Sequence, residues 1–232
     1  MTEIAVLAAS RLSDGVCVAG ITHQKQWVRP TRPKHDDTWR QLERSDCREA
    51  RGQWVLAKGN VVRIDLVRPI PKEAHSEDWL IGPRKPELVR RLCDTDYRRV
   101  CRQIAEPSLE ALDCDKAPRS LVMVRPSRIS SFSFGMDERK GTYVPRCSFT
   151  LGRRHYSAKP VSDLEWRGYG RRLVRQHNGK EAWKAGDIFR RNGTEACWLT
   201  VGRNLVASQP YLLVVGVHLF PVRRFPMDFQ RS

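Results

Sequence analysis

The stretch IAVLAASRLSDGVCVAGITHQKQWVRP, residues 4–30, sets the expected fold. It holds an apolar run at residues 4–8, a turn at Ser13–Gly15 and a second apolar run at Val16–Ile21. Serine, aspartate and glycine favour turns, and β-branched residues favour strands. A polar tip then leads into Trp27–Pro30, where the proline ends the strand because it has no N–H to donate to a ladder. The stretch therefore predicts short strands joined by tight turns, with one hairpin among them.

The remainder of the first half continues this pattern. Residues 31–51 are polar and charged, and they predict a long loop with a short helix at Thr38–Glu43. Further strands are predicted at Gln53–Leu56 and Asn60–Val67. About four or five short strands by residue 70 are enough for one small barrel. We assign this first barrel to residues 1–85.

The spacing of the apolar residues changes in the middle of the chain. The apolar side chains after Pro86 have the spacing of one helical face, with charges elsewhere. This spacing predicts one or two helices between residues 86 and 105 and a helical connector over residues 86–118. The apolar residues concerned are Leu88, Val89, Leu92, Val100 and Ile104.

Strand patterns return in the second half. Residues 160–187, which are rich in Arg, Gly and Trp, fit either a helix or a loop. We predict a second small barrel over residues 119–222 and a frayed tail at residues 223–232. The predicted strands are Leu121–Val124, Ile129–Phe134, Tyr143–Leu151, His155–Ala158, Cys197–Val201 and Tyr211–Phe220.

One tripeptide recurs along the chain. Val28-Arg29-Pro30, Val67-Arg68-Pro69 and Val124-Arg125-Pro126 each close an apolar strand. Both halves are rich in strand patterns and similar in length, so the repeated tripeptide favours a duplicated unit. We therefore expect a mainly β protein that consists of two tandem OB-like small β-barrels joined by a helical segment.

The charge of the chain is strongly positive. Lys and Arg number 42 against 26 Asp and Glu, which gives a net charge of +16 and a pI near 10.1. Arginine supplies most of this charge, and its guanidinium binds phosphate through two parallel hydrogen bonds and stacks on bases. A GC-rich genome explains a high ratio of Arg to Lys but does not explain the net excess. The charge predicts a polyanionic partner, a nucleic acid.

Cysteines and hydropathy bear on the compartment. None of the 7 cysteines lies in a C-x-x-C pair, which predicts reduced thiols, several of them in the core, and no structural metal. The longest apolar run, Tyr211–Val217, is too short to span a membrane. The first residues lack the basic flank of a signal peptide. We therefore expect a cytoplasmic protein without a membrane partner.

Arginine alternates with aromatic residues in three places, the combination with which OB barrels hold single strands. For Phe132 and Phe134, which alternate along a strand, core packing is the favoured interpretation. For Trp166 and Tyr169, core packing and base stacking both stay open. Trp39 and Arg40 extend the first cluster into the following loop. The predicted nucleic-acid-binding residues are Trp27, Arg29, Arg32, Arg125, Arg128, Arg153, Arg154, Tyr156, Trp166, Tyr169, Arg171, Arg172 and Arg175.

Catalytic motifs are not apparent in the sequence. The chain lacks the Asp and Glu-x-Lys pattern of a restriction-type nuclease, and it lacks a phosphate-binding glycine loop. The cluster His35-Asp36-Asp37 has metal-binding residue types, but a solvated loop is the favoured interpretation. Cys17 lies between apolar residues, where a thiol is more often core than nucleophile. We expect a protein without catalytic activity, cofactor or metal.

The opening residues resemble a known family. Leu7–Arg11, Gly15–Ile21 and Trp27–Pro30 are similar to the start of dual-OB-domain proteins of bacteria, a largely uncharacterised family. Asp78–Leu80 and the two final strands extend the similarity along the chain, whereas Ala9 and Val16 depart from the family pattern. The resemblance implies two OB domains, nucleic-acid binding and a role in bacterial conflict or defence systems.

Three functions remain open at this point. The first is a non-catalytic nucleic-acid-binding module for single-stranded DNA or RNA. The second is a protein-interaction subunit that docks onto an effector in an operon-encoded complex. The third is a sensor for a small ligand or nucleotide, with a pocket around Ser10, Arg11 and Arg29.

Overall fold

The chain forms two compact units. Unit 1 comprises Met1–Val100 and Ala111–Leu121, and unit 2 comprises Cys101–Glu110 and Val122–Ser232. The predicted limits of the two barrels and of the connector stay predictions. The structure, a computed structural model, describes residues 1–12, 15–32, 41–71, 75–113, 119–137, 141–206 and 209–230.

Unit 1 contains one seven-stranded sheet. Its order is β5-β6-β3-β2-β1-β4-β7, and every neighbouring pair is antiparallel except β3 and β6, which run parallel. β1 changes register between Val6 and Ala8, and a bulge of this kind bends a strand and increases its twist. The strands are β1 (Thr2–Leu12), β2 (Gly15–Ile21), β3 (Trp27–Thr31), β4 (Asn60–Ile64), β5 (Leu66–Pro69), β6 (Asp78–Ile81) and β7 (Glu87–Arg91).

The opening stretch forms the centre of this sheet, as its apolar runs predict. Val6, Val18 and Val28, one from each of the first three strands, are almost fully buried. A side chain at Gly20 would place its Cβ 2.4 Å from the carbonyl oxygen of Ala5, so only glycine permits the approach of β1 to β2. Local pattern and tertiary packing agree in this part of the chain.

Several predictions in the first half change. The predicted strand Gln53–Leu56 is not a strand, since only Trp54 pairs there, in an isolated bridge with Arg48, and the predicted strand Asn60–Val67 divides into β4 and β5. Residues 38–40 of the predicted short helix lie outside the described residues, and Leu42 pairs with Val16 in an isolated β-bridge. The predicted helix over residues 86–105 is wrong in its first part, because Glu87–Arg91 is strand β7 and pairs with β4. Helix α1 extends from Asp94 to Ile104. The apolar pair Leu88-Val89 is too short to distinguish the helical period from the strand period. The pairing with β4 makes this segment a strand.

Unit 2 contains two four-stranded sheets. Their orders are β14-β13-β10-β15 and β17-β16-β9-β8, and β11 and β12 form a separate two-stranded ribbon. Helix α2 (Glu110–Asp113) is a single turn that belongs to unit 1 from Ala111 onward. The strands are β8 (Ala105–Glu106), β9 (Leu121–Val124), β10 (Arg128–Ser133), β11 (Met136–Asp137), β12 (Thr142–Tyr143), β13 (Arg146–Leu151), β14 (Arg154–Pro160), β15 (Ala182–Lys184), β16 (Ala196–Val206) and β17 (Gln209–Phe220).

Two helices cover the first of these sheets. Helix α3 (Leu164–Gln176) and helix α4 (Ala185–Asn192) resolve the ambiguous segment 160–187 as largely helical. Asp163 begins α3 by accepting a hydrogen bond from the backbone N–H of Trp166 at 3.0 Å, and its other oxygen accepts one from the N–H of Val217 at 2.7 Å. This one buried carboxylate therefore ties α3 to β17.

The tail after β17 is docked on α3, so the predicted fraying is wrong for residues 223–230. The ring of Phe225 lies 4.5 Å from that of Tyr169, and the N–H of Asp228 donates to the carbonyl oxygen of Leu164 at 2.9 Å. A Cβ at Gly168 would lie 1.8 Å from the carbonyl oxygen of Pro226. The tail contact therefore requires glycine at that position of the helix.

The fold as a whole is mainly β, as the sequence predicts. Both units are built on sheets that are mostly antiparallel and contain bulges, consistent with OB-like β-barrels. Among the residues that the structure describes, no helix is both long and apolar enough to cross a membrane.

Candidate nucleic-acid interface

The sheet β14-β13-β10-β15 has one buried and one open face. Along β13, Cys147, Phe149 and Leu151 are buried, whereas the alternate residues Ser148 and Thr150 are only half-buried. Because successive side chains of a strand point to opposite faces, this alternation separates a core side from a polar side. The polar side has hydroxyl groups at its centre and cationic groups around them.

Strand register gathers cationic residues at one end of the open face. Arg128 of β10 lies opposite Thr150 of β13, and Thr150 lies opposite His155 of β14. On the far side of β10, Lys184 lies opposite Ser131. We call the surface formed by the side chains of this face and of the adjoining hairpin tip the sheet face. It comprises Arg128, Ser131, Ser148, Thr150, Arg153, Arg154, His155 and Lys184.

The hairpin between β13 and β14 presents two further arginines. Its tight turn places Gly152 at φ 58°, the left-handed region that glycine enters without strain, as a two-residue hairpin loop requires. Arg153 and Arg154 follow directly and are exposed. Neither of them, nor Arg128, forms an ion pair with any residue that the structure describes. Their charges are therefore available to an external anion.

Tyr156 is the predicted aromatic residue that remains accessible. Its ring stacks on the buried ring of Phe149, with centroids 5.0 Å apart and planes inclined by 18°. The side chain is half-buried, so its position is set by the core while part of it reaches solvent. Tyr156 lies opposite Phe149 in the register of β13 and β14, so its ring is on the core side of the sheet and not on the polar side.

Arg125 also retains its predicted exposure. It follows β9, and its guanidinium lies 5.0 Å from the ring centroid of the buried Trp198. A ring orients a guanidinium without occupying its N–H donors, which stay free for an acceptor. Arg125 is therefore a pre-oriented cation at the surface of unit 2.

The structure corrects the predicted contact at Trp166 and Tyr169. Trp166 is 1% exposed and Tyr169 is 6% exposed. The ring of Trp166 lies 4.6 Å from that of Phe132, which also confirms the expected core position of the latter. Trp166, Tyr169, Gly170 and Leu173 have the spacing of one helical face, a signal of burial that the surrounding arginines concealed.

Arg171 likewise serves the fold. Its Nε donates to the carboxylate of Asp228 at 2.7 Å, and Arg167 lies 3.6 Å from the same carboxylate. Asp228 and Arg167 are almost fully buried. The ion pairs that Asp228 forms with Arg171 and Arg167 therefore anchor the tail and are not available to a ligand. Arg172 and Arg175 of the same helix are exposed.

The predicted contacts of unit 1 are occupied internally. Trp27 is buried, Arg29 donates from Nε to the carboxylate of Asp78 at 2.5 Å, and Arg32 donates to that of Asp46 at 2.8 Å. Asp78 is fully buried, and a buried carboxylate is stable only beside such a partner. Trp27 and Arg29 are therefore corrected from surface contacts to structural groups, whereas Arg32, whose side chain is 38% exposed, stays a prediction. Trp39 and Arg40 lie outside the described residues.

The predicted pocket around Ser10, Arg11 and Arg29 is a buried polar cluster. The hydroxyl of Ser10 donates to the carbonyl oxygen of Cys17 at 3.3 Å, and Arg11 continues β1 half-buried beside it. Burial raises the pKa of the Cys17 thiol, although the nearby Arg29 guanidinium opposes this shift. A thiol with a raised pKa stays protonated at neutral pH and is a poor nucleophile.

Sequence reasoning missed the acidic half of this cluster. Burial raises the pKa of Glu77, whose carboxyl group accepts hydrogen bonds from the backbone N–H and the hydroxyl of Ser120. The carbonyl oxygen of Glu77 also accepts a 2.7 Å hydrogen bond from the N–H of Arg29. Glu77 and Asp78 follow no catalytic motif, and only the parallel pairing of β3 with β6 brings them to Arg29.

A metal site has no support in the described part of the chain. No three His, Cys, Asp or Glu side chains come together there in a manner that could hold an ion. The cluster His35-Asp36-Asp37 lies outside the described residues.

The sheets and their polar open face define a protein of the OB type. The chain belongs to the family described as dual OB-containing domain, whose model matches residues 2–183. The match covers nearly all of unit 1 and strands β10, β13 and β14, and it ends within β15, before β16 and β17. No curated protein matches the chain.

Proposed function

We propose that this protein is a non-catalytic module that binds single-stranded nucleic acid on the sheet face. The observation that carries the proposal is the convergence of Arg128, Arg153 and Arg154 at one end of an open sheet without carboxylate partners. Uncompensated arginines that lie close together repel one another, so their arrangement costs stability unless a polyanion neutralises it.

The chemistry of the sheet face fits a nucleic-acid strand. Arginines offer paired N–H donors to phosphates, and the hydroxyls of Ser131, Ser148 and Thr150 offer neutral hydrogen bonds. OB folds bind oligonucleotides through a sheet face and its adjoining loops, and this chain belongs to an OB family. The net charge of +16 adds long-range attraction to any polyanion.

The absence of catalysis is part of the proposal. The densest cluster of titratable groups, around Arg29 in unit 1, is closed by internal partners. The carboxylate of Asp78 pairs with Arg29, and the carboxyl of Glu77 accepts hydrogen bonds from Ser120. The Cys17 thiol has a raised pKa. None of these groups is arranged as a nucleophile beside a base.

Salt-dependent binding tests the proposal. Fluorescence anisotropy with a labelled oligonucleotide of about 15 nucleotides, DNA or RNA, should give a steep fall in affinity from about 50 to 200 mM salt. The variant Arg153→Glu/Arg154→Glu should lose about tenfold or more in affinity, and its log–log salt slope should be shallower by about 1.4, since each phosphate contact contributes about 0.7 for single strands.

A matched control separates this surface from net charge alone. Arg51 and Arg84 of unit 1 are exposed and form no ion pair with described residues, so Arg51→Glu/Arg84→Glu removes the same charge elsewhere. The proposal requires the sheet-face variant to bind much more weakly than this control. Equal losses in both variants, or no binding of the wild-type protein at low salt, would refute it.

A further inference from the structure

A second group of cations lies on the helix side of unit 2. Arg172 and Arg175 are exposed on α3, Lys180 follows that helix, and Arg191 is exposed near the end of α4. We call these four residues the helix surface. None of them forms an ion pair with any residue in the described ranges.

Aromatic rings hold three of these cations in place. The Lys180 ammonium lies 4.4 Å from the ring centroid of Trp183, and the Arg191 guanidinium lies 5.1 Å from the same centroid. The Arg172 guanidinium lies 5.9 Å from the ring centroid of Phe225 in the docked tail. A ring restricts the orientation of a cation but neutralises little of its charge, so the N–H donors remain free for an anion.

The arginines of the same helices that stabilise the fold are different. Arg171 pairs with the buried carboxylate of Asp228, and Arg190 pairs with Asp187 one helical turn away. Glu181, the nearest remaining acidic residue in sequence, lies beside Gly135. The helix surface therefore combines oriented cations that form no ion pair with a described carboxylate, which suits a phosphate-binding surface.

The helix surface and the sheet face lie on opposite sides of one layer. Trp166 of α3 and Phe189 of α4 pack against Phe132 on the core side of the sheet, with ring centroids 4.6 and 6.3 Å away. The polar side of the same sheet carries the sheet face. One short strand bound on the sheet face therefore leaves the helix surface uncovered.

We propose that the helix surface is a second nucleic-acid contact, so that unit 2 binds two nucleic-acid segments at once, one on each side. This inference rests on the proposed function. Trp183 and Tyr169 are buried beneath the cations, and the half-buried ring of Phe225 faces the Arg172 guanidinium, so this surface presents mainly cations. The second contact therefore recognises the phosphate backbone and is independent of sequence.

Stoichiometry tests the second contact directly. Oligonucleotides of about 8 nucleotides, within the site size of one OB fold, are titrated into the full chain at low salt, and sedimentation counts the strands bound to each chain. We expect two strands per chain, and close to one for Arg172→Glu/Arg175→Glu. In a mixture of donor- and acceptor-labelled strands, the wild-type protein should show energy transfer between the two labels, and an excess of protein should suppress it. Arg172→Glu/Arg175→Glu should show no energy transfer.

Controls keep the outcomes distinct. Arg172 and Arg175 are exposed, so the variant should keep the wild-type melting temperature, and Arg51→Glu/Arg84→Glu should keep both strands. One strand per wild-type chain, or two strands still bound by Arg172→Glu/Arg175→Glu, overturns the second contact and leaves the proposed function intact. Complete loss of binding in that variant, with Arg153→Glu/Arg154→Glu unaffected, overturns both, because the helix surface is then the sole contact.

Discussion

Arg29 and Arg125 occupy the same tripeptide, Val-Arg-Pro, in the two units, yet they have different roles. The Arg29 side chain is 14% exposed and pairs with Asp78, which is fully buried. Arg125 is exposed, and its guanidinium lies over the ring of Trp198. Arg68, in the third copy of the tripeptide, is exposed and has no ion pair among the described residues.

Neighbouring strands account for the difference. In unit 1, β6 runs parallel to β3 and places Asp78 opposite Arg29. In unit 2, Arg125 leaves β9 beside β16, which provides a tryptophan in place of a carboxylate. An arginine beside a buried carboxylate stabilises the fold, whereas an arginine on a ring keeps its charge for a partner. The local sequence is the same, and the partner decides the role.

The largest expected effect breaks the Arg29 pair. Asp78→Asn keeps the shape of the side chain but leaves the Arg29 guanidinium buried without a counter-charge, so the free energy of unfolding should fall by about 3–5 kcal/mol. Urea denaturation measures this fall. Arg29→Met/Asp78→Leu removes both charges and should recover most of the loss. Wild-type stability in Asp78→Asn would show that Arg29 and Asp78 do not form a stabilising pair.

A smaller effect concerns Glu77, next to the same pair. Burial raises the pKa of Glu77 above its ordinary value of 4.5, so the folded protein holds this proton to a higher pH than the unfolded chain does. The protonated carboxyl favours folding, and this contribution is lost as the pH rises from 4.5 through the raised folded pKa.

Glu77→Gln keeps the neutral form at every pH and so isolates this contribution. The difference in unfolding free energy between Glu77→Gln and wild type should increase in favour of the variant from about pH 4 to about pH 8, because all other groups are common to both proteins. Denaturation at a series of pH values measures it. A difference that stays constant with pH would mean that the pKa of Glu77 is not raised.

The smallest expected effects distinguish Arg125 from Arg68, the two exposed arginines of the Val-Arg-Pro tripeptides. Arg125→Ala should change the unfolding free energy by less than about 1 kcal/mol but should weaken oligonucleotide binding about fivefold, since it removes one pre-oriented cation. Arg68→Ala is the matched control and should leave both stability and affinity unchanged. Equal affinities of the two variants in an anisotropy titration would remove Arg125 from the interface.

The sequence predicts the fold well where the pattern is local and less well where a distant partner decides. The apolar runs of β1, β2 and β3 predict the central strands, and the predicted strand Tyr143–Leu151 contains β13. Spacing alone predicts a helix for Glu87–Arg91, which is strand β7, because so short a run carries no sign of its pairing with β4. The sequence likewise does not predict the docked tail, since Asp228 bonds to Leu164, which lies 64 residues earlier in the chain.

The candidate site divides in the same way. Arginine-rich clusters are visible in the sequence, but the stretch from Arg153 to Arg175 separates into the hairpin tip, a buried helical face and the helix surface. Trp166 and Tyr169 belong to the core although arginine and glycine surround them. Composition alone does not reveal which side of a helix faces the core when both sides carry charged residues.

The sequence by itself determined the mainly β class, the central strands β1 to β3 and the excess of positive charge, because these properties depend on residue type and near neighbours. Only the tertiary structure decided which arginines are paired. Arg29 meets Asp78 across 49 positions of the chain, and Arg171 meets Asp228 across 57. An ion pair needs two side chains within a few ångströms, and for residues so far apart the packed fold alone sets that distance.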